Sequence, residues 1–156
     1  MSKQTIVEML QTAYAMELET VANYLANSVY LEGVQAEEIK RSLADDVTEE
    51  LGHAHRLAER LKQLDARIPG SMELEPSQKT MQPPEIPTDA ERIVGGEIEA
   101  ETDAIDHYRQ IIAATDGKDY VTQDLAITLL ADEEEHRTQF EGFRAGFRAD
   151  AAVAVS

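Results

Sequence analysis

The chain has 156 residues, with 31 acidic against 14 basic side chains and a net charge of −17 at pH 7, and it contains no cysteine or tryptophan. The absence of cysteine excludes disulfide bonds and thiolate-bound zinc or iron, which leaves carboxylates and imidazoles as the strong metal ligands. The negative charge opposes binding to nucleic acids and anionic membranes and attracts cations instead.

The length suits one domain with a sizeable core. We expect residues 1–150 to form that domain and residues 151–156 to be a short tail. The N-terminal sequence lacks the basic start and apolar run of a signal peptide, and no stretch approaches about eighteen apolar residues, so we expect a cytoplasmic protein.

Two helices are predicted in the first half of the chain. Apolar residues recur at helical spacing from about Lys3 to Leu31, and Gly33 provides a stop signal. A second stripe with the same period starts near Ile39, passes through Val47 and ends before Pro69. Because the connection between them is short, the two helices should form an antiparallel hairpin.

A second hairpin is predicted after a long loop. The segment 65–87 contains all five prolines and should be a crossover. Thr88 and Glu91 form a capping-box pattern for a third helix, which should end at residues 116–117. Asp119 should cap a fourth helix that ends near residue 148. This order of elements predicts an all-α four-helix bundle with the topology of ferritin-like folds.

Carboxylates and histidines fall on the inner faces of all four predicted helices. The second and fourth helices each carry a Glu-x-x-His pair, in which the two side chains are surface neighbours. Buried carboxylates are costly unless they are paired or bind a metal. By position, the predicted ligands are bridging Glu50 and Glu133, terminal Glu17 and Glu101, and one imidazole per metal from His53 and His136.

An internal repeat supports this set. Glu17 and Glu101 are 84 positions apart, as are Tyr24 and Tyr108. The two Glu-x-x-His pairs are 83 positions apart. A pseudo-two-fold axis between the hairpins would therefore bring all six ligands into one volume.

Four carboxylates and two neutral imidazoles carry four negative charges, which suits two divalent cations. Oxygen and imidazole ligands without sulfur suit iron(II) or manganese better than a structural zinc ion. Two such metals can each give one electron to O₂ or peroxide. We therefore expect oxidation chemistry at the same six residues.

Five further residues are expected close to the ligands: Tyr24, Tyr108, Glu49, Asp132 and Glu97. The tyrosines should be core residues whose hydroxyls hydrogen-bond ligands, with electron transfer as the alternative. Glu49 and Asp132 should orient the histidine of the opposite helix. Glu97 could be a carboxylate on the access route, a transient iron site or an extra ligand. The favoured interpretation is a solvated residue at the bundle's end.

Several segments match one known pattern. They are Met16-Glu17-Leu18 with Tyr24, Glu50-Leu51-Gly52-His53-Ala54, Glu101, and Asp119-Tyr120-Val121 followed by Asp132-Glu133-Glu134-Glu135-His136. In these segments, and over nearly all of residues 3–148, the chain resembles the bacterioferritin branch of the ferritin superfamily. The resemblance implies a ferroxidase centre in each subunit, which oxidises Fe²⁺ with O₂ or peroxide and feeds a ferric mineral inside a hollow shell.

Two departures from that family modify the expectation. Leu51 stands where bacterioferritins carry a methionine haem ligand, so we expect no haem. The sequence after the fourth helix is too short for the fifth helix of 24-subunit cages. We therefore favour a twelve-subunit shell like that of the mini-ferritins, although those usually build their iron site between subunits and this chain also lacks a basic tail for DNA.

Other functions stay open. A rubrerythrin-like peroxidase could use Glu97 as an additional carboxylate but would need a partner to supply electrons. A di-metal oxygenase or manganese catalase would act on a small molecule, and a helical assembly module would hold no metal. Storage requires a large shell, whereas a peroxidase or oxygenase can work as a dimer. The expected cofactor is two iron ions per subunit, with manganese or zinc as substitutes, and the expected partners are Fe²⁺, O₂ or H₂O₂, and further copies of this chain.

Overall fold

Four long helices carry most of the chain in the computed structural model, which describes residues 2–155. They are α1 (Lys3–Tyr30), α2 (Glu37–Gln63), α3 (Ala90–Thr115) and α4 (Tyr120–Val155). The described residues contain no strand, so the predicted all-α four-helix bundle is confirmed. Met1 and Ser156, the outer ends of the expected domain and tail, lie outside the described residues.

Contacts between the helices fix their directions. Short connections make α1 and α2 one antiparallel hairpin and α3 and α4 another. Tyr24 of α1 bonds Glu101 of α3 while Tyr108 of α3 bonds Glu17 of α1, so these two helices are also antiparallel. The same holds for α2 and α4. It follows that α2 and α3 run in the same direction.

The apolar core consists of two clusters. One, the Leu31 cluster, contains Leu31 and Ile93. The other, the Leu10 cluster, contains Leu10 and Leu61. A layer of buried polar residues separates the two clusters. Within residues 2–155, no helix combines the length and the apolar character that crossing a membrane requires.

The start of α3 differs from the expected one. The N-cap is Asp89, whose carboxylate accepts a hydrogen bond from the Arg92 amide at 3.3 Å. The predicted capping box of Thr88 and Glu91 is therefore wrong. The cause is a tight turn before the helix, in which the Asp89 amide already donates to the Ile86 carbonyl.

The start of α4 agrees with the prediction and its end does not. Asp119 caps the helix, because its carboxylate accepts a hydrogen bond from the Thr122 amide at 3.1 Å. The helix then continues to Val155, past the expected end near Arg148. After Gly146 the sequence is rich in alanine and has no glycine or proline that would stop a helix.

The long crossover between α2 and α3 is present, and it is attached to α1. It contains two short 3-10 turns, Ser71–Glu73 and Lys79–Met81. Glu19 of α1 accepts hydrogen bonds from the backbone amide of Ser77, and Asn27 of α1 donates to the Met81 carbonyl at 2.8 Å.

The crossover also packs tightly on α3. A Cβ atom at Gly96 would lie 2.3 Å from the Thr80 carbonyl oxygen, so only glycine allows this approach. The crossover thereby covers the end of the bundle that contains the first turns of α3.

Candidate metal centre

Six ionisable side chains meet midway along the bundle, between the two apolar clusters. They are Glu17 of α1, Glu50 and His53 of α2, Glu101 of α3, and Glu133 and His136 of α4. Each is 4 % exposed or less. The structure thus brings together all six residues that the sequence singled out.

Their donor atoms form two groups that share two glutamates. Within each group, one donor atom from every residue lies within 4.8 Å of the others. The first group adds Glu17 and His53, the second adds Glu101 and His136, and both contain Glu50 and Glu133. This is the arrangement expected of two neighbouring metal ions with two bridging and two terminal carboxylates. The ligand roles themselves stay a prediction.

Each imidazole turns its Nδ1 atom toward the shared carboxylates. His53 Nδ1 lies 3.0 Å from Glu133 and 3.5 Å from Glu50. His136 Nδ1 lies 3.0 Å from Glu50 and 3.6 Å from Glu133. These atoms are close but not aligned as hydrogen bonds require, and neither Nδ1 atom has a hydrogen-bond partner.

The outer Nε2 atoms of the imidazoles face carboxylates. Asp132 of α4 lies 3.2 Å from His53 Nε2, and Glu49 of α2 lies 3.2 Å from His136 Nε2. Both carboxylates therefore stand beside the histidine of the opposite helix, where the sequence analysis expected them. Only the contact between Asp132 and His53 is a hydrogen bond, because His136 Nε2 has no hydrogen-bond partner. A carboxylate that accepts such a bond orients the ring and favours the tautomer whose Nδ1 lone pair faces a metal.

Two buried tyrosines hold the terminal glutamates. The Tyr24 hydroxyl donates to Glu101, and the Tyr108 hydroxyl donates to Glu17. Each tyrosine thus bonds the glutamate of the neighbouring hairpin. Burial and the adjacent carboxylates raise the pKa of both phenols well above its usual value, so both hydroxyls stay protonated donors.

The charges of the six side chains balance one another. Burial, reinforced by neighbouring carboxylates, raises the pKa of Glu17 and Glu101 well above the usual range. Burial also acts on Glu50, but its pKa is lowered because the closeness of Glu17 and the two imidazoles outweighs that effect. Burial and the Glu50 carboxylate also act to raise the pKa of Glu133, but the two imidazoles outweigh them and lower it.

The imidazoles take up the opposite charge. Burial disfavours the imidazolium form. The carboxylates of Glu133 and Glu50 outweigh this effect of burial and raise the pKa of His136 to about 12. The pKa of His53 is raised in the same way. Burial thus favours the neutral form of the two terminal glutamates, and the two shared carboxylates favour the cationic form of the imidazoles.

Unpartnered polar atoms test whether the residues fit a metal pair. Among the described residues, these atoms include both oxygens of Glu50, one oxygen each of Glu101 and Glu133, and the Nδ1 atoms of both histidines. Buried polar atoms in native proteins nearly always have a partner. A cluster of oxygen and imidazole donors without sulfur suits iron or manganese, so the residues fit a di-metal centre.

Glu97 does not lie where the sequence analysis favoured it. Its side chain is 0 % exposed, and neither carboxylate oxygen has a hydrogen-bond partner. The interpretation of Glu97 as a solvated residue is therefore wrong. The buried core continues past Glu97 toward the start of α3, where Ala90 and Ile93 are buried, and the crossover packs against Gly96.

Two buried polar residues near the centre were not predicted from the sequence. Asp46 lies one helical turn before Glu50, and Asn27 lies one turn after Tyr24. The four-residue spacing from Asp46 to Glu50 was a usable signal. The predicted stripe on α2 passed through Val47 instead, because a helical period alone does not separate adjacent positions at the edge of a stripe.

An all-α bundle of two hairpins that encloses four glutamates and two histidines is the architecture of ferritin-like di-metal proteins. The sequence pattern of the Ferritin-like domain family matches residues 7–148, and the chain belongs to this family. Among curated relatives, the DNA protection during starvation protein of Pyrococcus furiosus is 31% identical over 146 residues, which cover 92% of this chain and 78% of the relative.

Solved structures give the same fold. The dodecameric thioferritin of Bacteroides fragilis, a bacterioferritin-related protein, matches with a TM-score of 0.85 at 22% identity, over 100% of this chain and 94% of its own. The bacterioferritin of Rhodobacter capsulatus matches with a TM-score of 0.80 at 22% identity, over 94% and 87%. Ferritin-like diiron-carboxylate proteins of Bacillus anthracis reach 0.79 at 20% identity, over 92% and 99%.

These comparisons confirm the ferritin-like superfamily that the resemblance implied. Together with the buried cluster of carboxylates and histidines, they support iron storage or ferroxidase chemistry at the level of the family. Membership of the bacterioferritin branch stays a prediction.

Proposed function

We propose that this protein is a haem-free ferroxidase of the bacterioferritin branch, which oxidises Fe²⁺ with O₂ or peroxide and stores the product as a ferric mineral in a hollow shell. The observation that carries the proposal is the pair of overlapping ligand groups inside one chain, with Glu50 and Glu133 common to both. Because one bundle supplies every donor, each subunit holds a complete centre.

Each residue has one role at this centre. Glu50 and Glu133, which belong to both ligand groups, would be shared by the two metals, Glu17 and His53 would complete one position, and Glu101 and His136 would complete the other. Two Fe²⁺ ions held there would supply two electrons, which together with two protons reduce O₂ to H₂O₂ or H₂O₂ to water. The surrounding residues Tyr24, Tyr108, Glu49 and Asp132 hold the carboxylates and rings in place. Manganese or zinc can occupy the same donors.

The likeness to known assemblies supports a shell of twelve subunits. The Bacteroides fragilis relative is described as dodecameric, and the Pyrococcus furiosus relative is a starvation protein whose name refers to DNA protection. For this chain, the net charge of −17 favours cationic substrates over DNA. Leu51 offers no donor to a haem iron, which supports a haem-free protein.

Particle size and iron capacity test the proposal together. Light scattering after size-exclusion chromatography should give about 208 kDa, which is twelve chains of 17.3 kDa. When Fe²⁺ is then added in air, near-ultraviolet absorbance should show oxidation of far more than two irons per chain, with the product remaining soluble. Glu50→Ala should lose the fast phase of Fe²⁺ oxidation, whereas Glu38→Ala, at an exposed position on the same helix, should retain it.

A different outcome would redirect the proposal. A dimer that oxidises two irons per chain and then stops would reject storage. That result would favour the rubrerythrin-like peroxidase or another di-metal oxidase.

A further inference from the structure

The two-fold repeat of the centre is broken one helical turn away from it. The repeat relates α1 to α3 by 84 positions and α2 to α4 by 83. By this relation, Glu97 of α3 corresponds to Ala13 of α1, and Asp46 of α2 corresponds to Leu129 of α4. Both counterparts are buried members of the Leu10 cluster. Carboxylates on one side of the centre thus replace apolar residues on the other.

A third position follows the same pattern. Asn27 of α1 corresponds to Ile111 of α3, and both are 0 % exposed. The side of the centre that faces the Leu10 cluster is therefore closed by hydrocarbon. The side that faces the Leu31 cluster carries three buried polar side chains instead, those of Asp46, Glu97 and Asn27. We call these three residues the polar layer.

Helix directions place the three residues of the polar layer at one level. Because α2 and α3 are parallel, Asp46 and Glu97 each precede a predicted ligand, Glu50 or Glu101, by the same four residues. Four residues correspond to about 6 Å along a helix axis. On antiparallel α1, Tyr24 contacts Glu101, so Asn27 lies at the level of Glu97.

The polar layer contains oxygen atoms without donors. Both oxygens of Glu97 lack a hydrogen-bond partner, and so does Oδ1 of Asn27, whose amide group donates to the Met81 carbonyl instead. Asp46 is 8 % exposed and accepts a long hydrogen bond of 3.4 Å from the Ser42 hydroxyl. Buried acceptors concentrated in this way indicate a missing donor or a cation.

We propose that Asp46, Glu97 and Asn27 bind a third divalent cation, distinct from the metal pair. Two carboxylates balance a charge of +2, and the amide oxygen adds a neutral ligand. Because all three donors are oxygen atoms, the site suits divalent cations that accept oxygen ligands, such as Mn²⁺ and the proposed substrate Fe²⁺. Burial, reinforced by the Glu50 and Asp46 carboxylates, raises the pKa of Glu97, as expected of a carboxyl group that has no hydrogen-bond donor or cation beside it.

The third site lies on a route from solvent to one half of the centre. Asp46, Glu49 and His136 have donor atoms within 4.8 Å of one another, and the Glu49 side chain is 48% exposed. A cation that passes Glu49 reaches Asp46 and then Glu97, next to the half that contains Glu101. The site therefore holds substrate Fe²⁺ beside that half alone, a role that rests on the proposed ferroxidase function.

Anomalous scattering from crystals soaked in Mn²⁺ tests the third site. The wild-type protein should show one peak between Asp46 and Glu97, in addition to two peaks beside Glu50 and Glu133. Glu97→Gln and, independently, Asp46→Asn should each lose the additional peak and keep the other two. Glu99→Gln removes an equal charge from an exposed position on α3 and should keep all three.

Equilibrium dialysis against Mn²⁺ provides a solution measurement. Glu97→Gln and Asp46→Asn should each bind one ion fewer per chain than Glu99→Gln. Persistence of the additional peak in Glu97→Gln would reject the third site. So would a wild-type protein in which Mn²⁺ occupies the pair alone and the Glu97 carboxyl group donates to Asn27 Oδ1. Absence of the two peaks beside Glu50 and Glu133 would instead reject the proposed function. The peak between Asp46 and Glu97 decides only whether the third site exists.

Discussion

At the scale of single residues, protons would compete with the proposed metal pair for the same six side chains. The carboxyl groups of Glu17 and Glu101 are held neutral by burial, and the imidazoles of His53 and His136 are held cationic by carboxylates. In all four groups these effects favour the protonated form. A bound metal pair would supply the positive charge that these protons otherwise provide.

We expect metal binding to release protons and to weaken as the pH falls. Each terminal glutamate and each imidazolium loses one proton before its donor atom can bind a metal, so up to about four protons leave per metal pair. Lowering the pH from about 8 to about 6 adds competing protons, and the affinity should fall steeply. Anaerobic titration with Fe²⁺ in weakly buffered solution, followed by a pH electrode, measures the release. A titration without proton release would contradict the assigned protonation states.

The hydroxyl of Tyr108 permits a second test at this scale. Tyr108→Phe removes the hydrogen bond to Glu17 and keeps the ring in the core. Because residues that hold metal ligands typically affect affinity by 10- to 100-fold, we expect about 10-fold weaker binding of one of the two metals. Calorimetry with Mn²⁺ measures it. Tyr120→Phe, at a residue that is 69% exposed, should leave both affinities unchanged.

At the scale of elements, the crossover is a structural part of the bundle. It reaches Glu19 and Asn27 on α1 and lies directly on Gly96 of α3. These contacts close the bundle over the polar layer. Without them, the first turns of α3 would meet solvent, which is the environment that the sequence analysis favoured for Glu97.

Adjacent glycines on α3 test the packing of the crossover. Gly96→Ala would place a methyl group 2.3 Å from the Thr80 carbonyl oxygen, so the crossover must move. We expect a loss of about 1–3 kcal/mol in the free energy of unfolding, the usual cost of overpacking. Gly95→Ala meets no atom within 4 Å and should gain about 0.5–1 kcal/mol, because alanine favours the helix. Chemical denaturation compares the two variants. Equal changes in both would show that the crossover does not pack closely at Gly96.

At the scale of the whole molecule, the first hairpin exposes apolar side chains. Leu25 and Val29 on α1 are 56% and 75% exposed, and Leu51 on α2 is 53% exposed. Leu51 lies in a groove that also contains Leu18 and Ile68. Extended apolar surface of this kind is typical of subunit interfaces. It is consistent with the homo-oligomer that the relatives suggest.

A charge in this groove should interfere with assembly. We expect Leu51→Asp to lower the particle mass measured by light scattering, because burying an unpaired carboxylate in an interface is costly. Met72→Asp introduces the same charge at a crossover residue that is 96% exposed, and it should assemble like the wild-type protein. An unchanged mass for Leu51→Asp would place the interface elsewhere.

The sequence by itself determined the bundle topology and the six central residues. Helical periodicity located four helices, prolines located the crossover, and spacings of 84 and 83 positions matched the two hairpins. These signals are readable because helix geometry maps spacing along the chain directly onto one face. The pairing of each tyrosine with the opposite glutamate was not readable, since it depends on how the helices are arranged around one another.

Only the tertiary structure decided what surrounds the centre. Glu97, Asp46 and Asn27 are buried because neighbouring helices and the crossover cover them, and the helical period cannot show that cover. The helical period also could not decide which of the adjacent residues Asp46 and Val47 faces the interior, because both lie at the edge of the apolar stripe on α2. Burial is a property of the assembled bundle, so the polar layer, unlike the six central residues, became visible only when all four helices and the crossover were packed together.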